Sequence, residues 1–374
     1  MSPPAKAEHV TVLLPDVERE LRRQRQALQV SDESPAQLVR MSNLVIFCHG
    51  RESAGAVAAQ VPAVVATHPA RVLLLVAEPA SDGPEVTAQV LVRVRREGGH
   101  QLACAEQVTL HAAGSAVDRL PFAVRSLLIG DLPTNLWWAS PQPPPLAGPL
   151  LYDLTEQAQQ IIYDSLGWAD PARGVAATAT WLERVERDTG AGGWRVASDL
   201  NWRRLKYWRR LLRQVLDPAS APGVAESVTE VLIEHGPHAV IQAWQIASWL
   251  ASSLEWSVEV GRVEPGREIS WKLAAPHGDL RVRVQRLEQG PPEVRRVRIA
   301  CQLGGKPGAI NLFAEDGRRL VGALEGTEAA PRTVTVPPQT AAELIGRQLS
   351  DRERDPVFSE SMAVAQVLAG SLLE

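Results

Sequence analysis

The stretch CAEQVTLHAAGSAVDRLPFAVRSLLIGDLPTNLWW, residues Cys104 to Trp138, decides the fold. Its first part alternates Cys104, Glu106, Val108 and Leu110 with Ala105, Gln107, Thr109 and His111, the period-2 pattern of a strand with two different faces. Gly114 ends that strand. From Ser115 to Leu128 the apolar residues Val117, Leu120, Val124, Leu127 and Leu128 take helical spacing, with Pro121 expected in the first turn, where a missing N–H costs little. Gly130-Asp131-Leu132-Pro133 closes the helix, and Thr134 to Trp138 is a short apolar run that reads as a strand buried on both faces. Strand, helix, strand is the pattern of an α/β layer.

Outward toward the N-terminus, Asn43 to Phe47 reads as a core strand, Glu52 to Val65 as a helix that stops before His68-Pro69, and Arg71 to Val76 as a second strand. That order predicts a parallel pair with a right-handed crossover. Glu85 to Arg96 and His100 to Ala112 form a predicted hairpin through Gly98-Gly99. Ser2 to Val12 reads as a tail, and Pro15 to Val30 as a charged surface helix with sparse apolar residues, Val17, Leu21 and Leu28. On the C-terminal side, Leu150 to Gln160 is helical and Gln160 to Asp164 a strand. A helix from Pro171 to Arg187 follows, then a flexible joint at Asp188 to Gly193.

Asp199 to Leu216 is the second focus. Asp199 or Ser198 can cap a helix whose Trp202, Leu205, Trp208, Leu212 and Val215 share one face, and Asp217-Pro218 stops it. Beside that face runs a stripe of Arg203, Lys206, Arg210 and Arg213, flanked by Arg204 and Arg209. Three readings compete: a solvated face, a docking surface for an acidic partner, in which arginine and tryptophan are the favoured residues, and nucleic-acid binding. A net charge of −4 argues against the last. Beyond Ala221-Pro222-Gly223, a strand at Ser227 to Glu234 and a helix at Val240 to Leu254 precede strands at Ser257–Val263, Glu268–Leu273, Asp279–Leu287, Val294–Leu303, Ala309–Ala314 and Thr333–Val336. This is a mainly antiparallel sheet. Arg281, Arg283, Arg296 and Arg298 lie on its outer face, Cys301 in its core, and helices Thr340–Arg352 and Pro356–Leu372 end the chain.

No catalytic constellation emerges. Gly50-Arg51-Glu52-Ser53-Ala54-Gly55 has the outer spacing of a phosphate loop, but Ala56 and Val57 replace its lysine and hydroxyl residue, and no G-x-G-x-x-G follows a strand. His235-Gly236-Pro237-His238 lacks metal-ligand spacing, and Cys48 and His49, being adjacent on a strand, point to opposite faces. Neither a metal nor a cofactor is expected. Three widely spaced cysteines, Cys48, Cys104 and Cys301, fit a reducing, cytoplasmic setting. The absence of an N-terminal apolar core or of about 18 consecutive apolar residues argues against export or membrane spanning.

The runs GDLPTNLWW and CAEQVTL, with NLVIFC (Asn43–Cys48), HPARVLLLV (His68–Val76), IIYDS (Ile161–Ser165), DLNWRRLKYWRRLL (Asp199–Leu212), SWLASSLEW (Ser248–Trp256) and PQTAAELIGRQL (Pro338–Leu349), resemble the OpcA family of glucose-6-phosphate dehydrogenase assembly proteins. The resemblance covers nearly all of the chain beyond the first 40 residues. It implies a non-catalytic protein of the oxidative pentose phosphate pathway that binds glucose-6-phosphate dehydrogenase and promotes its assembly or activation. The rivals are a sugar-phosphate or nucleotide-binding enzyme on the N-terminal layer and a nucleic-acid regulator acting through the basic helix. Three departures stand out. The cysteine pair expected in CAEQVTL is Cys104-Ala105. Ser248 and Ser253 replace an expected Gly and Arg, and Lys206-Tyr207-Trp208-Arg209 replaces a Thr-Pro-Trp-Arg pattern, permitting a more continuous helix. The expected fold class is α/β: a tail and helix (1–37), an N-terminal Rossmann-like α/β domain (38–170), and a C-terminal α+β domain with a mainly antiparallel sheet (171–374).

Overall fold

The apolar runs of the N-terminal half become the centre of an eight-stranded sheet in order β1-β4-β5-β3-β2-β6-β7-β8. The computed structural model describes residues 9–30, 40–83, 85–97, 100–187, 195–219, 221–325 and 330–373. In chain order the first elements are β1 (Val10–Val12), α1 (Val17–Val30), β2 (Ser42–His49), α2 (Arg51–Ala58), α3 (Val61–Thr67), β3 (Ala70–Glu78), β4 (Thr87–Glu97) and β5 (His100–Ala113). After a 3-10 segment come α4 (Leu120–Leu127), β6 (Thr134–Trp138), α5 (Pro149–Thr155) and β7 (Gln160–Tyr163); beyond α6 (Pro171–Arg187) the sheet gains β8 (Val196–Asp199). Strands β5, β3, β2, β6 and β7 are parallel, which is why β2, β3 and β6 are almost wholly buried and read as unbroken apolar runs. The β4–β5 pair is antiparallel out to Glu97 and His100, while Gly98-Gly99 lies outside the described residues.

The expected helix at Ser115 to Leu128 divides. Gly114–Arg119 is 3-10, and α4 begins at Leu120 with Pro121 in its first turn. The expected helix Glu52–Val65 also divides, because Pro62 sits in the first turn of α3 and cannot donate within a longer α2. Trp138 is fully buried and stacks on Phe47 at 4.3 Å between ring centroids. Asn43, also fully buried, pins the Gly130–Pro133 turn: its Nδ2 donates to the carbonyls of Ile129 (3.0 Å) and Leu132 (3.2 Å), and its Oδ1 accepts from the N–H of Ile129 (3.0 Å).

Two expectations at the N-terminus are corrected. Part of the supposed tail is β1, which pairs antiparallel with β4. The supposed surface helix α1 buries Val17 and Leu21 completely and ties its charged side to the sheet. Glu106 on β5 is 0% exposed and meets three guanidinium groups: Arg71 of β3 (2.8 Å), Arg40 (2.5 Å) and Arg25 of α1 (3.2 Å). Arg71, 4% exposed, also donates to the Leu127 carbonyl (2.9 Å) and pairs with Glu18 of α1. A buried carboxylate is tolerated only when so surrounded. The joint expected at Asp188–Gly193 lies outside the described residues.

The second sheet has order β10-β11-β12-β9-β13-β14-β15-β16. Its elements are α7 (Leu200–Arg204), α8 (Lys206–Val215), β9 (Glu230–His235), α9 (Val240–Ser253), β10 (Ser257–Glu264), β11 (Glu268–Ala275), β12 (Gly278–Arg286), β13 (Val294–Leu303), β14 (Lys306–Ala314), β15 (Arg319–Leu324) and β16 (Arg332–Thr335). Only β9 and β12 pair in parallel; the remaining pairs are antiparallel, as the hairpin spacing predicts. Strand β15 escaped the sequence reading because Gly322 interrupts it. The reason for that glycine is space: a Cβ there would lie 3.2 Å from Val215 and 3.3 Å from Leu211, where α8 packs on the strand. On the outer face Arg283 pairs with Glu268 (2.7 Å) and Glu230 (3.4 Å), Arg296 with Glu234 (3.6 Å) and Arg298 with Glu325 (3.3 Å), so it is a mixed-charge lattice and not a basic surface.

The chain divides into two units, one containing the described residues up to Asp164 with those in 185–198 and 340–353, the other those in 165–184, 199–339 and 354–374. A single boundary at 170/171 does not describe this division. Helix α10 (Ala341–Ser350) returns to the first unit, where the Gln160 amide of β7 donates to the carbonyls of Gln348 (3.0 Å) and Asp351 (2.8 Å). Thr340 and Glu343 form a reciprocal capping box at its start. Helix α11 (Pro356–Leu373) completes the second unit; by length and composition it could cross a membrane, and here it packs on α9 and β10.

Candidate functional site

Two of the sequence runs meet helix α9 in the second unit beneath the basic helix. Asp199, 3% exposed, caps α7 by accepting from the N–H of Asn201 (2.9 Å). The same carboxylate accepts from the N–H (3.1 Å) and Oγ (2.5 Å) of Ser165 and from Nε2 of Gln245 (2.7 Å). Asn201 extends the cluster: its Nδ2 donates to Ser165 Oγ (2.9 Å), and its Oδ1 accepts from Gln242 (3.0 Å) and Arg204 (2.8 Å). IIYDS, DLNW and the α9 helix are thus joined through one carboxylate with four donors, which fixes where α7 starts.

The predicted continuous helix breaks at Leu205, which ends α7 and precedes α8 without any side-chain cap. Trp202, Leu205, Trp208, Leu212 and Val215 are all buried, as their spacing predicts. Trp202 donates through Nε1 to Asp355 (2.7 Å), and the Arg209 guanidinium lies 3.5 Å from its ring centroid while donating to the Trp202 carbonyl (2.7 Å). Burial pulls the Arg209 pKa down to about 9, still above neutral, so the group stays cationic.

The six basic residues therefore separate. Arg204 and Arg209 are built into the packing, and Arg203 at the break is half-buried. Lys206, Arg210 and Arg213 are exposed along one side of α8, and among the described residues none has a carboxylate partner; Arg213 rests 6.0 Å from the Trp249 ring centroid. Like charges four residues apart cost a helix a few tenths of a kcal/mol. Here the cost is carried on a helix whose opposite face is locked by tryptophan and leucine.

Residues 61–180 match the family model described as the glucose-6-phosphate dehydrogenase subunit N-terminal domain, and residues 195–362 match that of its C-terminal domain. The chain belongs to the OpcA family. Two curated relatives carry the name OpcA and a provisional assignment to the OxPP cycle. One, from Synechocystis sp., is 26% identical over 324 residues, and one from Nostoc punctiforme is 26% identical over 318. These matches cover 80% and 79% of this chain but only 64% of each relative's length. Among solved structures, a Parabacteroides merdae protein provisionally named an oxidoreductase has a TM-score of 0.51 at 8% identity, covering 88% of this chain and 97% of its own. A super-repressor mutant of Gal80p from Saccharomyces cerevisiae has a TM-score of 0.50 at 11% identity, covering 89% and 95%. These two likenesses establish a Rossmann-like fold and nothing about chemistry.

That fold raises the question of a dinucleotide, and the residues present do not fit one. The turn from β2 into α2 runs Gly50-Arg51-Glu52-Ser53-Ala54-Gly55, so Glu52 stands where the second glycine of the fingerprint lets backbone approach a pyrophosphate. A carboxylate there repels the ligand. Gly50 is needed for its φ of +81°, but a Cβ on Gly50 or Gly55 would meet nothing within 4 Å, so neither is there for close packing. Glu78, the acid at the end of β3 that could serve a ribose, is tied to Arg51 at 2.8 Å. A cavity of about 420 Å³ over the ends of β2 and β3 is lined by Asp118, Asp153, His49 and Gln142, a set without a single Lys or Arg for phosphate.

The remaining sequence candidates are structural. His235 is buried, with Nδ1 2.7 Å from the Gly236 carbonyl, and burial lowers its pKa, keeping the ring neutral. Cys48 and Cys301 are buried free thiols; burial pushes Cys48 up to about 12 and raises Cys301 as well. Neither is a thiolate at neutral pH. Iodoacetamide at pH 8 is accordingly expected to leave both unmodified in the folded protein and to modify both in denaturant, as read by peptide mass; native-state alkylation of Cys48 would contradict its burial. The Cys104 side chain lies outside the described residues.

Proposed function

We propose that this chain is a non-catalytic partner of glucose-6-phosphate dehydrogenase that promotes the enzyme's assembly or activation in the cytoplasm, docking through Lys206, Arg210 and Arg213 with Arg203 at their edge. One observation carries the docking surface: Lys206, Arg210 and Arg213 form a row of exposed cations without carboxylate partners among the described residues, on a helix whose other face is buried. Such a row suits an acidic patch, gives salt-dependent association, and adds little ordering cost because the helix is already fixed. Family membership supports the choice of partner, and the misfit at Gly50–Gly55 supports a role without nucleotide chemistry.

The mechanism needs only differential affinity. A chain that binds the assembled, active form more tightly than the dissociated one shifts the equilibrium by that difference, and about 3 kcal/mol shifts it roughly a hundredfold.

The test is the mass and dehydrogenase activity of the cognate enzyme with and without this chain. The comparison is a Lys206→Glu, Arg210→Glu, Arg213→Glu variant. We expect a complex with raised activity, weakened at least about tenfold in the variant and steeply so with salt. No complex at high micromolar concentration, together with unchanged activity, sinks the partner; a complex untouched by the variant keeps the partner and sinks the surface.

A further inference from the structure

We propose that the first unit binds a small organic cation, an amine or a guanidinium on a short aliphatic body, in the cavity at the carboxyl ends of its parallel strands. The strand order reverses at that edge: the chain leaves β2 for β3 on one side, whereas β6, on the other side of β2, leads outward to β7. Connections that diverge in this way leave a crevice open beyond the strand ends. The cavity of about 420 Å³ occupies it, drawing Phe47 and His49 from the end of β2, Asp118 from the 3-10 segment after β5, Gln142 from the turn after β6 and Asp153 from α5. Its size suits a small metabolite.

The crevice offers negative charge between apolar walls. Asp118 and Asp153 are exposed, and among the described residues neither carboxylate has an ion-pair or hydrogen-bond partner; the side chains of His49 and Gln142 are equally unengaged. The Gln142 backbone is nonetheless held, its N–H donating to Ser140 Oγ (3.3 Å) and its carbonyl accepting from Trp138 Nε1 (3.1 Å). Phe47, braced by its stack on Trp138, and Leu150 supply the walls. Among the described residues no Lys or Arg lines the cavity, and Arg51 at the start of α2 is tied to Glu78. Helices α2 and α5 both begin at this edge, and their N-termini oppose a cation. Each counts for at most roughly half a positive charge, and Glu52 in the first turn of α2 offsets one of them. Two carboxylates outweigh the remainder. Ammonium and guanidinium groups answer them through charge-assisted hydrogen bonds, with the Gln142 amide oxygen as a further acceptor. A neutral polyol would leave both charges unanswered.

Occupancy has a structural consequence. Asp118 stands on the connection from β5 to β6 and Asp153 on that from β6 to β7, so a ligand held by both ties the two connections together. The inference does not depend on the docking helix, which belongs to the second unit.

The experiment titrates the full chain with putrescine and, separately, with agmatine at constant ionic strength, by calorimetry and by hydrogen exchange across 114–119 and 150–155. We expect saturable binding of at least one probe and slower exchange in both segments at saturation. Affinity should fall about ten- to a hundredfold in Asp118→Asn and in Asp153→Asn, each the loss of a charge-assisted bond. It should fall comparably in Ala147→Leu, which fills the cavity without touching its charge. Asp131→Asn, at an exposed carboxylate in the turn before β6 and so at the opposite end of the sheet, leaves it unchanged. Binding of agmatine alone identifies a guanidinium site, of putrescine alone a diamine site, and of both the shared cationic chemistry. If Ala147→Leu fails to fold, the two asparagine variants, both at exposed positions, decide alone. Absence of saturation by both probes overturns the site, as does equal binding by all variants. Equally tight binding of 1,4-butanediol, the neutral counterpart of putrescine, overturns the choice of a cation.

Discussion

Replacing Glu106 by alanine is expected to destabilise the first unit by about 3–5 kcal/mol, because it removes the fully enclosed one of a buried guanidinium's two carboxylate partners. The carboxylate is fully enclosed and meets Arg71, Arg40 and Arg25, two of which approach within 2.8 Å. Arg71 is itself 4% exposed and would keep only Glu18 and a carbonyl. Water cannot replace what is lost at that depth. Against a typical domain stability of about 5–15 kcal/mol, a loss of this size is a large fraction. A urea titration followed by far-UV circular dichroism reads it. Glu78→Ala, which breaks the pair to the largely exposed Arg51, serves as the comparison and should barely move the midpoint. If the two variants lose similar amounts, the enclosed cluster is not what fastens α1 to the sheet.

Asp199→Ala is expected to cost the second unit about as much, roughly 3–5 kcal/mol, by a different route. The N–H and Oγ of Ser165, the N–H of Asn201 and the Gln245 amide all lose one acceptor at once, and α7 loses its cap. The damage should spread to the proposed docking surface, since α7 positions the helix that bears Lys206, Arg210 and Arg213. Asp199→Asn keeps the shape but turns an NH₂ group toward one or more donors, and should fall between wild type and alanine. Hydrogen exchange across 200–215 separates the effects. Faster exchange confined to this segment and α9 is the expected pattern, and unchanged protection there would show that the cluster does not hold the helix.

Element types were largely legible in the sequence because they are written locally. The buried run Thr134–Trp138, the tryptophan face of 202–215 and the helix Pro171–Arg187 all follow from spacing alone. What spacing does not carry is partnership. Glu106 reads as an ordinary polar residue on an alternating strand, and nothing near it announces Arg71, which lies 35 positions away. Gln160 reads as the join of a helix and a strand, yet its partners stand 188 and 191 positions on. Helix α1 looked solvated for the same reason: two buried apolar residues seem sparse until Glu18 and Arg25 prove to join the charged cluster on the sheet. The breaks at Pro62 and Leu205 divide differently. Proline announces the first, whereas Leu205 is a good helix former and its break comes from tertiary packing. Two local signals, the capping box at Thr340–Glu343 and the Glu52 substitution inside Gly50–Gly55, were readable as plain sequence.

The return of α10 to the first unit sets the order of events on the ribosome. The sheet's last contiguous strand, β7, ends at Tyr163, but the carbonyls that cap Gln160 belong to residues 348 and 351. At about 5–20 residues per second, the chain needs roughly ten to forty seconds to supply them after β7 has been made. Throughout that interval the nascent first unit lacks α10, and Gln160 has not met its final acceptors. Maturation of the first unit is therefore tied to near-completion of the polypeptide. A message truncated anywhere before Asp351 yields two unfinished units, with no finished N-terminal half.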